Sequence, residues 1–351
     1  MRVALAYSGD LKGSAAIQWL REVRHADVVA VTIDLGQGAE LQATRDRALA
    51  LGAKRAHVID ARERFAEHFI IAALRADALH DDIVPMAEAL ARPLIAQSLV
   101  EIAAIERADA VAHTSVTAAA PPFASRMDAL LDGLGVTVPV LAPHREWTLT
   151  PDALASFARA TGLAPTTDLR PDVNVWGETR STQGEANSPF QAASLPSLPT
   201  EGAHVDLTFE RGAPTAINGV AMPVLEIVTS LATIGTMYGV GFTASQTLAC
   251  HAPAAALLHL AHRELTLAVP DHSQREFSTA ASRIYANLVE RAAWFTTLRR
   301  GLDEYFTTTN AGVSGRVRLE LHRGTASVIA REGSLASPIA GPPSPSEQEY
   351  S

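Results

Sequence analysis

Arg2-Val3-Ala4-Leu5-Ala6-Tyr7-Ser8-Gly9-Asp10-Leu11-Lys12-Gly13-Ser14 decides how the chain is read. The apolar run Val3 to Tyr7 has the length and composition of a buried strand, and Ser8 to Ser14 is a short run of small and polar residues. Beyond it, Ile17, Leu20 and Val23 fall on one face of a helix expected over Ala15 to Val23, with Ser14 placed to cap its first turn. In a strand, small-residue loop and helix of this kind, backbone N–H groups and the helix N-terminus converge on a point where an anion is favoured. A tight strand-to-helix turn without a ligand fits the same residues. The spacing matches neither GxxxxGK[ST] nor GxGxxG.

The alternation continues outward. Val28 to Ile33, His57 to Ile59, Ala108 to His113 and Val136 to Leu141 read as further strands, and Leu41 to Leu51, Phe65 to Ala78 and Leu90 to Ile105 as helices. This implies an α/β fold, a doubly wound and mostly parallel sheet with ligands at the carboxyl ends of its strands. Leu163 to Pro199 is rich in Pro, Thr, Ser and Gly and reads as an irregular connection. Past it come a strand, turn, strand unit around Arg211-Gly212 and helices over Met222 to Tyr238 and Ala254 to Leu265. One long helix is expected over Arg275 to Arg299, then a hairpin turning at Arg323-Gly324. The division expected is an α/β nucleotide-binding-type domain over 1–165, an α+β substrate and oligomerisation domain over 166–335, and a disordered Pro-rich tail over 336–351.

The 351 residues carry 29 Lys plus Arg against 38 Asp plus Glu, a formal charge of −9, which argues against nucleic acid or an acidic membrane surface as partner. Any anion must be held by a local site. At 47% hydrophobic and 19% charged the composition is globular. The lone Cys250 excludes an intramolecular disulfide framework or a multi-cysteine metal site. No apolar run is long enough to span a bilayer, and the N-terminus is a strand rather than a secretion signal, so the expected location is the cytoplasm.

Ala6-Tyr7-Ser8-Gly9 with Leu11 and Ser14 resembles the pyrophosphate loop AYSGGLDTS of the argininosuccinate synthase family. Ile33-Asp34-Leu35-Gly36-Gln37 resembles its second-strand motif, Ala89 to Ala96 its longest helix, Ala142 to Trp147 its APWREW, and Asn174-Val175-Trp176-Gly177 its NLWG. Gly239-Val240-Gly241, Ala252-Pro253-Ala254, Tyr285 to Val289 and the hairpin after Val317 carry the likeness to about residue 335. The resemblance implies an adenine-nucleotide alpha hydrolase-like domain of the N-type ATP pyrophosphatase kind. It also implies ATP and Mg²⁺, a small-molecule substrate and a homo-oligomer, dimer or tetramer. Family members adenylate citrulline and let the aspartate amine displace AMP.

Against the family pattern, SGGLDTS has become SGDLKGS. Lys12 stands where an acidic residue helps organise the metal, and a protonated lysine cannot ligate one. Asp10 brings a negative charge into the loop. Ser8, Asp10, Lys12, Ser14 and Asp34 are the expected anion or nucleotide-loop residues. The polar substrate strip after the fourth strand becomes apolar, with Val116, Ala120 and Pro121 in its register and only Arg126 to stand in for an arginine. Val84 and Ala89 replace a substrate-binding tyrosine and serine. The segment carrying VENR is deleted, leaving Phe242 to Ala249 before Cys250-His251, and Thr179 replaces a serine after NLWG.

The substrate-pocket candidates are Val84, Ala89, Val116, Asp172, Thr179, Cys250 and His251, and the catalytic candidates are Glu88, His113 and Arg126; no metal ligands are assigned. His113 at a strand's carboxyl end is placed for ligand or for structure. Glu88 fits a general acid or base in an apolar pocket and equally a solvated helix-terminal carboxylate. Cys250-His251 resembles a nucleophile and base, although adjacent residues usually point apart.

The expectation is an enzyme on the argininosuccinate synthase scaffold, repurposed for a more apolar substrate in a specialised biosynthetic pathway and working without ATP adenylation. A catalytically silent binding protein and a genuine C–N ligase with a variant loop are the alternatives.

Overall fold

The computed structural model describes residues 1–38, 41–115, 127–146, 150–162, 173–181, 198–267 and 272–333. Val116, Arg126, Asp172 and the tail expected over 336–351 lie outside these, as does most of the connection between the two halves.

Strand β1 (Arg2–Ala6) leads through Tyr7 to Asp10 into α1 (Leu11–Arg24), then β2 (Asp27–Asp34), α2 (Leu41–Ala50) and β3 (Arg55–Asp60). A continuous helical run follows, made of α3 (Arg62–Phe65), a π-helical turn (Ala66–Ile70) and α4 (Ile71–Arg75). The short pair β4 (Leu79–His80) and β5 (Val84–Pro85) precedes α5 (Ala87–Ile105), β6 (Ala110–Ala112), α6 (Met127–Gly133), β7 (Val140–Leu141), α7 (Pro143–Glu146) and α8 (Pro151–Thr161). The principal sheet has the order β3-β2-β1-β6-β7, parallel at every pairing. Val28 to Ile33 are buried along the whole of β2, as a strand covered on both faces requires. Chain order reverses between β1 and β6, so the loop after β1 and His113 after β6 face the same crevice.

The second half supplies two antiparallel sheets. Strands β8 (Val173–Asn174) and β9 (Gly177–Ser181) lie inside the stretch expected to be irregular, and that expectation is corrected. They pair with β14 (Leu248–His251) and β13 (Phe242–Ala244) in the order β13-β14-β9-β8. The strands are too short to show an alternation, and Gly177 hides their continuity. The other sheet, β12-β11-β10-β15-β16, is built from β10 (Ala203–Glu210), β11 (Ala213–Ile217), β12 (Val220–Ala221), β15 (Gly315–His322) and β16 (Thr325–Glu332). Its closing turn has Arg323 at φ 44° and Gly324 at φ 87°, the two positive values a two-residue hairpin uses.

Helices α9 (Val224–Met237) and α10 (Pro253–Thr266) pack on each other. The single helix expected over Arg275 to Arg299 is instead two, α11 (His272–Glu290) and α12 (Thr297–Thr309). Ala292 turns left-handed at φ 58°, and Thr296 caps the new helix by accepting from Arg299 N. The break lets Trp294 bury against Phe69, with ring centroids 4.9 Å apart, while the Arg299 guanidinium lies 4.0 Å over its other side. A straight helix would leave that indole in water, and burying an aromatic contributes about 2–3 kcal/mol. One hydrophobic core runs from β2 through α5 into α9 and α10, so the two halves share it. Among the described residues no helix is long and apolar enough to cross a membrane.

Exposed Gly301 on α12 gives a simple check of these assignments. A Cβ there meets nothing within 4 Å. Gly301→Ala should stabilise by roughly 0.5–1 kcal/mol through helix propensity alone, read as a higher urea midpoint at unchanged slope.

Candidate functional site

The loop after β1 is closed from within. Asp10, not Ser14, is the N-cap of α1: its φ of −70° and ψ of 166° are extended, and its Oδ1 accepts from Gly13 N at 2.6 Å. The helix therefore starts four residues earlier than its apolar face suggests. Ser14, fully buried in the first turns, shares a 3.0 Å hydrogen bond with the Tyr7 hydroxyl. Burial pushes the Asp10 carboxyl above its ordinary value; the Gly13 amide, the Lys12 charge and the Ser8 hydroxyl oppose that. Lys12 is exposed.

Gly13 makes this cap possible. A Cβ at that position would stand 2.7 Å from Asp10 Oδ1 and 3.0 Å from the Tyr7 ring. The small residue at 13 and the carboxylate at 10 are thus one arrangement. The N–H group at the helix start that would meet a phosphate already holds an internal anion, and its negative charge repels another. As built, this loop does not fit a pyrophosphate, and Lys12 supplies no metal ligand. Asp34 is occupied as well, accepting from Gly36 N at 2.8 Å with its other oxygen 3.4 Å from Arg62 Nε.

Four of the expected substrate-pocket residues, Val84, Ala89, Thr179 and Cys250, come together around the N-terminus of α5. Asn174 donates to Ala87 O at 2.7 Å and accepts from Trp176 N at 2.9 Å, locking the Asn-Val-Trp-Gly turn onto that helix end. Val175 N bonds Leu35 O at 2.8 Å, which ties the same turn to the end of β2. Val84, Ala89, Thr179 and Cys250 are all buried here. Cys250 lies in register between Thr179 and Thr243, with its Sγ 3.7 Å from Pro85 O.

Cys250 and His251 are not a nucleophile and base. Successive strand residues point to opposite faces. Burial pushes the thiol up to about 12, so it stays protonated at neutral pH. On the other face His251 stacks on Phe242 at 4.1 Å, and burial lowers its pKa against the opposing charge of Glu178.

Glu88 is ion-paired with Arg92 one turn along α5, so it is neither a lone acid in an apolar pocket nor a freely solvated carboxylate. His113 is 1% exposed, with Nε2 3.0 Å from Asp128 Oδ1. It sits at the carboxyl end of β6 as expected, held by a carboxylate of α6. The structure brings Val84, Ala89, Thr179 and Cys250 together, and places Ser8, Asp10, Lys12 and Ser14 on the separate first loop. Sequence reasoning missed Gly13 as the residue that admits the Asp10 cap, and Asn174 as the tie to α5. A glycine three residues after an acidic loop residue was the available signal for the first.

Two family models match the chain. Residues 2–164 match the family model of the arginosuccinate synthase N-terminal HUP domain, and residues 187–337 that of the arginosuccinate synthase C-terminal domain. The argininosuccinate synthase of Dehalococcoides mccartyi strain BAV1 is 33% identical over 352 aligned positions, covering 94% of this chain and 86% of its own. That of Chlorobium chlorochromatii is 34% identical, covering 94% and 88%. Among solved structures, a 4-thiouridine synthetase in complex with RNA and bound ATP aligns at TM-score 0.33 and 14% identity, over 46% of this chain and 41% of that one. That likeness is too slight to bear on the site. The family models together match residues 2–164 and 187–337, and the curated relatives are a third identical across nearly the whole length: the chain belongs to the argininosuccinate synthase family.

Proposed function

We propose that this member of the family has given up ATP-dependent adenylation and acts on a different, more apolar substrate, in a specialised biosynthetic pathway. The observation that carries the reading is the Asp10 carboxylate seated on Gly13 N–H at 2.6 Å, in space that a side chain at position 13 would fill. Lys12 beside it, and buried Val84 and Ala89 where the resemblance implies polar substrate-binding side chains, support it. A buried hydrogen bond to substrate is worth roughly 1–3 kcal/mol of recognition, so doing without several disfavours citrulline.

The test is nucleotide binding and turnover together. Wild-type protein with Mg²⁺, ATP, citrulline and aspartate is expected to release no AMP, and to give no calorimetric heat at millimolar ATP. The triple variant Asp10→Gly, Lys12→Asp, Gly13→Thr, which rebuilds the family loop, should gain measurable ATP affinity, at least tenfold over wild type. AMP release by the wild type at an ordinary rate defeats the proposal.

A second reading, an ATP-dependent ligase joining citrulline to aspartate, is favoured by relatives named for that activity across nearly the whole chain. Under it Lys12 takes the phosphate charge, and ATP binding strengthens as pH falls, because the raised pKa of Asp10 neutralises the cap before other carboxylates. A titration from pH 8 down to the ordinary carboxylate range separates the two readings.

A further inference from the structure

A cavity of 440 Å³ lies away from the crevice, between the end of α4 and helices α10, α11 and α12. Its volume is that of a small-molecule site. Arg75 lines it, half-buried, and among the described residues its guanidinium has no carboxylate partner; its one contact is from Nε to Arg211 O at 3.1 Å. Burial, and secondarily the like charge of Arg211, disfavour its charged form. A half-buried cation left in this way is uncompensated, whereas the neighbouring charges are matched: Arg263 with Asp77, and Asp82 with Arg283.

His262 lines the same cavity and is 1% exposed. Asn310 joins it to Arg75, because the Asn310 amide donates to Arg75 O and Phe306 O while its Oδ1 stands 2.7 Å from His262 Nε2. That oxygen can only accept, so Nε2 carries the imidazole proton and Nδ1 is an acceptor. Nδ1 has no hydrogen-bond partner. The hydroxyls of Thr266, Thr279 and Thr309 donate to helix carbonyls, so they too present acceptor lone pairs. An occupant therefore needs an anionic group for Arg75 and hydrogen-bond donors for the acceptors around it. Arg75, Arg263 and Arg275 line the cavity together with Asp77 and Asp82, and since both carboxylates are already paired a hydroxyl suits the donor better than an ammonium.

We propose that this cavity is a binding site for a small hydroxylated organic anion, its charged group on Arg75 and a hydroxyl toward the Thr266, Thr279 and Thr309 oxygens. The site is independent of the loop after β1, and the proposal stands whether or not the protein uses ATP.

Calorimetry on the full-length protein tests it with two probes, L-malate and sn-glycerol 3-phosphate, and with hydroxyl-free succinate as control. At least one of the two hydroxylated anions should bind saturably at millimolar concentration, and succinate several-fold more weakly. The carboxylate and phosphate arms then identify the charged group. Arg75→Gln should weaken binding about tenfold or more, the scale of a removed charge-assisted hydrogen bond. Its thermal midpoint should not fall, since it removes an unmatched charge. Thr279→Leu, at an exposed α11 position lining the cavity, should block binding by filling it without altering charge. Failure of both hydroxylated probes to bind at 10 mM, or undiminished affinity in both variants, overturns the proposal.

Discussion

Gly241→Ala is expected to destabilise the protein by about 3 kcal/mol or more, through a strained backbone and an unrelieved clash together. Gly241 has φ +99°, a region a Cβ disfavours, and that Cβ would lie 2.5 Å from both the N and Cα of Pro253. Both clashes are with backbone, so no side chain can turn aside. Pro253 begins α10, and Ala252 N bonds Gly241 O at 2.9 Å, so the collision falls where β14 enters the helix that carries the shared core. Urea unfolding should show a much lower midpoint at unchanged slope, against the small gain expected at Gly301. A loss below 1 kcal/mol would mean that the β14–α10 junction is not packed as described. The Cys250 environment, two residue pairs along the β13–β14 ladder, should loosen with it, and thiol labelling of Cys250 reports that directly.

The second large effect is acid lability. Burial pushes His262 down to about 4 from an ordinary value of 6.5, against the weaker opposing hydrogen bond that it donates to Asn310. Because the unfolded chain takes the proton first, this stability is complete above pH 6.5 and is lost as pH falls toward 4, amounting to about 3 kcal/mol. Asp77 extends the decline. Burial alone would raise its carboxyl, but His259 and Arg263 outweigh burial and hold it at about 2. Its contribution, about 2 kcal/mol, is present above pH 3.8 and disappears toward pH 2. The urea midpoint should fall continuously from pH 6.5 to 4, and His262→Gln should flatten that slope while lowering the plateau at pH 7. A midpoint independent of pH across this range would sink the assignment.

The parallel sheet was legible because β1 and β2 are short buried runs, and the edge strand β3 a short β-branched one, separated by helices of ordinary length. The sheet β13-β14-β9-β8 was not, since its strands are two to five residues long and its two local pairs, β8–β9 and β13–β14, are joined by the β9–β14 pairing across more than sixty residues. Sequence periodicity carries no information about such pairings. The break between α11 and α12 was missed for a related reason. Local helix propensity favoured continuation, and only the tertiary burial of Trp294 on Phe69 overrode it. At the site, the resemblance located Val84, Ala89, Thr179 and Cys250 well enough to find them clustered. The partners of Cys250, His251 and Glu88 lie on other strands or one helical turn away, so the sequence left their surroundings open.

The Asp10 cap also bears on how this loop could have arisen. With a β-branched residue at 13, as in the family pattern, the carboxylate of an Asp10 would meet a side chain at the distance where it now accepts a hydrogen bond. Acquiring glycine at 13 first removes that obstacle, after which an aspartate at 10 gains a capping interaction worth about a few tenths of a kcal/mol over the glycine it replaces. From then on the changes protect one another. Restoring threonine alone collides with the cap, and restoring glycine at 10 alone uncaps the helix. Return to a phosphate-accepting loop requires both steps, and each by itself lowers stability, so the loop behaves as a ratchet that a lineage passes through in one direction.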